Sequence, residues 1–156
     1  MKKINKKEVL EFLSKCSPET KMYIGCDSAR FRHKGIWYAE YTTVLVVHID
    51  GCKGCRIFGQ LDKERDYDNI AKKPSLRLMN EVYRCAALFI ELKDLLEDYE
   101  LEVHLDINPD INYGSSCVIS QATGYIKGMC NVVPLCKPNA FAASYAADRL
   151  KSISGL

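Results

Sequence analysis

The stretch Leu101-Glu102-Val103-His104-Leu105-Asp106-Ile107-Asn108-Pro109-Asp110 decides how this chain is read. Leu101, Val103 and Leu105 alternate with Glu102, His104 and Asp106. That is the two-residue period of a strand with one apolar and one polar face. Asn108-Pro109-Asp110 then turns the chain. A carboxylate at a strand end beside a turn stands where open α/β sheets place ligands.

Before this strand, Ser75 to Leu96 has the strongest helical pattern in the chain, with Ser75 as the expected N-cap and Pro74 barring helix ahead of it. After it, Ser115 to Met129 reads as a helix and Asn131 to Cys136 as a strand. Pro138-Asn139 opens an alanine-rich helix to about Lys151. At the other end, Lys6 to Lys15 spaces Val9, Leu10, Phe12 and Leu13 as a short amphipathic helix. Met22 to Asp27 reads as the first strand, and Ser28 to Gly35 as a polar, basic loop. Trp37 to Ile49 is a long strand, Gly51 to Gly54 a turn, and Arg56 to Leu61 an antiparallel return. A charged connection from Asp62 to Pro74 leads into the helix. The order α, β-β-β, α, β, α, β, α predicts an α/β fold. Its mixed five-stranded sheet has three antiparallel and then parallel strands, with helices on its faces.

The bulk numbers agree. The chain has 156 residues, 47% hydrophobic and 27% charged, which suits one folded domain over residues 1–156. A net charge of +2 excludes a strongly acidic scaffold and little else. Met1-Lys2-Lys3 is followed by no apolar run of signal-peptide length, and the apolar stretch around Thr43 to Ile49 is too short to span a bilayer. The expectation is a cytoplasmic protein with no membrane partner and an open oligomeric state. The 8 cysteines scatter through apolar segments, as reduced, buried thiols do. Cys52 and Cys55 form a C-x-x-C pair with no second pair to complete a zinc site. In Gly51-Cys52-Lys53-Gly54-Cys55 they read as part of a glycine-rich hairpin turn.

A few carboxylates resist a surface explanation. Glu81 falls within the apolar stripe of its helix, among Leu78, Val82, Cys85, Leu88 and Leu92. A charge there costs several kcal/mol unless it is paired or bound to metal, and Arg77 or Arg84 at the stripe edge is the alternative partner. Asp27 ends the first strand as Asp106 ends the fourth. Asp148 follows a run of alanines that lets the last helix approach the sheet closely. Clustered carboxylates raise one another's pKa unless cations neutralise them. Oxygen ligands of this kind favour Mg²⁺ or Mn²⁺, and two such ions about 3.5–4 Å apart suit phosphodiester hydrolysis.

This arrangement resembles the ribonuclease H superfamily. Three stretches are more specifically similar to the ribonuclease H-like YkuK family. They are Tyr23-Ile24-Gly25-Cys26-Asp27-Ser28, Val103 to Asp110, and Lys137-Pro138-Asn139-Ala140-Phe141-Ala142-Ala143 followed by Ala147-Asp148. The resemblance spans about Lys21 to Asp148. It implies metal ligation and catalysis by Asp27, Glu81, Asp106 and Asp148, with Asp27 and Asp106 shared between two ions and a water between the ions attacking the phosphate. It implies supporting or product-release roles for His104 and Asp110. Lys137, Arg30 and Arg32, with Lys34, are candidates for holding phosphates. Asp27-Ser28-Ala29 lacks an Asp-x-Glu pair, which speaks against the proofreading-exonuclease branch.

The expected function is a metal-dependent nuclease, a hydrolase acting on nucleic acid, with the RNA of an RNA–DNA hybrid as default substrate. The alternatives are a non-catalytic nucleic-acid or protein interaction module, and a structure-selective DNA endonuclease. The carboxylates must meet in one anionic pocket. With two of them on opposite sides of the molecule, or a lysine plugging the pocket, the nuclease reading would collapse.

Overall fold

The computed structural model describes residues 3–51, 53–68, 75–110 and 112–141. Helix α1 spans Lys6–Leu13, and the Asn5 side chain accepts from the Lys7 and Glu8 amides at its start. Three antiparallel strands follow: β1 (Lys21–His33), β2 (Ile36–His48) and β3 (Cys55–Arg65). Helix α2 (Ser75–Leu92), strand β4 (Glu100–Val103) and helix α3 (Ile119–Cys130) follow, with short 3-10 helices at Ile49–Gly51 and Gly114–Val118.

The basic stretch from Ser28 is strand, not loop. β1 pairs with β2 in unbroken register from Lys21 opposite His48 to His33 opposite Ile36. Lys34 (φ 51°) and Gly35 (φ 80°) close this hairpin. Two positive φ angles match the twist of the strands they join, and Gly35 takes that conformation without strain. The outer end of the hairpin projects beyond the core, so its polarity reflects solvent on its surfaces. Asp27 therefore lies inside a long strand rather than at the end of a short one.

The sheet order is β3-β2-β1-β4, with β4 parallel to β1. These are four strands among the described residues, not the five expected. The segment after α3 still runs alongside β4: Leu135 donates to the Val103 carbonyl at 2.9 Å, and Leu105 donates to that of Leu135 at 2.8 Å. The pairing shrinks to one bridge, His104 with Leu135. Lys137 donates to the Ile107 carbonyl at 3.0 Å, so the segment stays alongside without forming a regular strand.

One sheet face presents Met22, Ile24, Cys26, Tyr41, Leu45 and Val47 to the main core. Leu78, Val82, Cys85, Leu88, Phe89 and Leu92 of α2 pack into the same core. Each such side chain contributes about 1.5–3 kcal/mol by leaving water. Tyr23, Val44 and Val46 cluster on the opposite face. The first amides of α2 are capped by Asp68, which accepts from Leu76 at 2.9 Å and Arg77 at 2.8 Å, while Ser75 is the helix's first residue. Helix α3 ends at Asn131, in the left-handed conformation. Lys137–Asn139 form a turn, and the final helix expected from Pro138 lies, from residue 142 on, outside the described residues. The described cysteines are free thiols, and Cys52 is outside the description. No helix of the described residues is long and apolar enough to cross a membrane.

Candidate functional site

The β1–β4 ladder ends at Ile24 and Val103, and Asp27 and Asp106 each lie three residues further along their segments. His104 donates to the Ile24 carbonyl at 2.8 Å. Both aspartates are partly buried. Across β1 from Asp27 stands Thr42, whose buried hydroxyl has no hydrogen-bond partner among the described residues.

Glu81 approaches from α2, on the core face of the sheet where Ser28 lies, whereas strand alternation puts Asp27 on the opposite face. Glu81 is only 5% exposed, as its position in the apolar stripe requires. Neither expected arginine pairs with it directly. The Ser28 hydroxyl donates to Glu81 Oε1 at 2.5 Å, and Arg77 donates to that hydroxyl at 2.9 Å. Arg84 instead binds Asp62 and Glu64 and lies over the Tyr41 ring. Burial pushes the Glu81 carboxyl well above the usual carboxylate range. Ser28 opposes this by hydrogen bonding, the charges of Asp27 and Asp106 reinforce it, and Arg77 opposes it. The three carboxylates thus share one electrostatic environment.

A lysine stands among them. Lys137 Nζ lies 2.6 Å from Asp106 Oδ1, held on the turn after Leu135. The bond to Asp106 raises its pKa against the effect of burial, and the charges of Asp106, Asp27 and Glu81 add to the rise. This weakens an unassisted metal reading, because ammonium and metal ion compete for Asp106. Lys137 does not seal the pocket, since its side chain is 41% exposed on a flexible stem.

The donor set suits a hard divalent cation: all three groups are carboxylates, and a positive charge already sits among them. Among the described residues, no three His, Cys, Asp or Glu side chains lie close enough to hold a metal as they stand. Asp148 lies outside the described residues.

The other candidates fall elsewhere. Arg30 pairs with the buried Asp66 and stacks 4.4 Å over Trp37, with Arg32 at 5.8 Å from the same ring. Both arginines alternate with Asp27 along β1 and lie on the other sheet face. His104 is buried against Tyr23 and Phe141 and bonds Glu102 at 3.1 Å; burial lowers its pKa, against the opposing effect of Glu102. Asp110 is exposed and its carboxylate accepts from the Asn112 amide, as a turn aspartate does. Sequence reasoning missed Ser28 and Thr42. Ser28 was legible only as the neighbour of Asp27, and Thr42 only once the hairpin register was known.

The model of the ribonuclease H-like family matches residues 6–152 of this chain. The chain belongs to the ribonuclease H-like family. Searches of curated proteins and of solved structures find no match.

Proposed function

We propose that this chain is a metal-dependent phosphodiesterase of nucleic acids, with Asp27, Glu81 and Asp106 holding Mg²⁺ or Mn²⁺ and Asp148 as fourth ligand. The observation that carries the reading is the Lys137–Asp106 pair beside a buried Glu81 whose carboxyl feels the charges of Asp27 and Asp106, in a ribonuclease H-like fold. Bound there, the ions supply charge neutralisation for the attacking and leaving oxygens of phosphodiester hydrolysis. Asp27 and Asp106 follow the paired ends of β1 and β4 by three residues each, which supports their use as a pair. Ser28, held by Arg77, fixes one Glu81 oxygen, and the other would be the one to hold a cation. Lys137, on an exposed stem beside Asp106, would meet a substrate phosphate.

The default substrate is the RNA of an RNA–DNA hybrid. The test is a cleavage panel of single strands, duplexes, hybrids and junctions with Mn²⁺. Hybrid cleavage that Asp106→Asn abolishes supports the reading, and junction cleavage alone moves it to a structure-selective DNA endonuclease. The Lys137–Asp106 pair favours a second reading, a module that binds nucleic acid without turnover because the lysine already neutralises the site. Binding with no cleavage across the whole panel would establish that one.

A further inference from the structure

On β1, Asp27, Ala29, Phe31 and His33 share one sheet face, by strand alternation. Opposite them on β2 stand Thr42, Glu40, Tyr38 and Ile36. Arg65 and Lys63 of β3 then pair with Tyr38 and Glu40. The face that carries Asp27 therefore runs outward into an aromatic and basic surface. Phe31 and Tyr38 stack with centroids 5.6 Å apart and planes at 18°. Lys63 lies 5.6 Å from the Phe31 ring. Together with His33, Glu64 and Arg65 these residues line an open groove of about 480 Å³. Arg65 also covers Tyr67, which is 61% exposed.

We propose that this groove is a docking platform for single-stranded nucleic acid, which feeds the strand along one sheet face to Asp27. The occupant follows from the chemistry. Both acids at the groove are engaged, Glu64 by Arg84 at 2.9 Å and Glu40 by Lys63 at 3.6 Å. Arg65 and, at the hairpin tip, Lys34 supply positive charge for a phosphate backbone. A stacked aromatic pair beside cations matches unpaired bases, whose faces are open, so the platform takes a single-stranded stretch flanking the hybrid on which the carboxylates act. Phe31 is four strand residues from Asp27, about 13 Å, a span that a short extended strand covers. The proposal rests on reading the carboxylates as the phosphodiester site, since that is where the strand must arrive.

The test is fluorescence anisotropy of the full chain with labelled oligothymidylate and oligouridylate in EDTA, alongside Mn²⁺ calorimetry without oligonucleotide. Phe31→Ala is expected to weaken oligonucleotide binding about tenfold, with Mn²⁺ binding unchanged. Arg65→Gln is expected to lower the salt slope of binding by about 0.7. Variants that bind the oligonucleotides as the native chain does would overturn the platform. So would a native chain that binds no single strand, or equal displacement by polyglutamate, which would reveal a site for acidic chains in general. In each of these cases Mn²⁺-dependent cleavage remains the separate measure of the carboxylate reading.

Discussion

The ammonium of Lys137 lies 2.6 Å from Oδ1 of Asp106, three residues beyond the end of the strand that pairs with β1. Positive charge is thus already present where the proposed divalent cation would sit. Removing it should free Asp106. Lys137→Gln is expected to bind Mn²⁺ roughly three- to tenfold more tightly, the scale of a half-exposed ion pair of about 1 kcal/mol. Calorimetry measures this directly. Weaker Mn²⁺ binding in the variant would show that the lysine supports the site instead of competing for it.

Glu81 sets the pH response of the metal-free protein. Its folded-state pKa is raised above the unfolded value, chiefly by burial. The unfolded chain therefore gives up the Glu81 proton at lower pH than the folded chain. Stability should fall as pH rises above the ordinary glutamate range, and this loss should level off once pH exceeds the raised value. Glu81→Gln should flatten that slope and raise the melting temperature near neutral pH by several degrees in EDTA. Thermal melts across pH check it, and an unchanged slope in the variant would refute the assignment.

Ser28 joins Arg77 to Glu81. Ser28→Ala leaves a buried carboxyl and a guanidinium without their shared partner, at a cost of about 1–3 kcal/mol. Urea denaturation should record a lower midpoint with an unchanged m-value. A loss below about 0.5 kcal/mol would mean that the pair finds other partners.

Asp68 accepts from the Leu76 and Arg77 amides and so anchors the start of the helix that carries Glu81. Asp68→Ala should cost about 1 kcal/mol through the lost cap, and it should weaken Mn²⁺ binding less than any carboxylate substitution at the site. An equal loss would place Asp68 nearer the chemistry than the geometry does.

Periodicity made much of this legible. The stripe of α2 located Glu81 in the interior because burial imposes that pattern, and the alternation before Asp106 located a strand, which ends at Val103 and leaves Asp106 three residues beyond it. The fold class and the antiparallel start followed from element order. The hairpin beyond Asp27 was not legible as strand, because solvent on its surfaces removes the apolar signal. Only the Lys34-Gly35 turn marks it. The expected fifth strand, Asn131 to Cys136, is reduced to the single bridge of Leu135 with His104. Ser28 and the Lys137–Asp106 pair depend on contacts across 53 and 31 residues of sequence, which no local pattern encodes.

The central claim is that Asp27, Glu81 and Asp106 close around a divalent cation. Calorimetric titration of Mn²⁺ into the native chain and into Asp106→Asn tests it most directly, with circular dichroism confirming that both are folded. Saturable binding in the native chain and its loss in the variant is the predicted result. Identical titrations for the two proteins, or no binding by the native chain even with nucleic acid present, would contradict it.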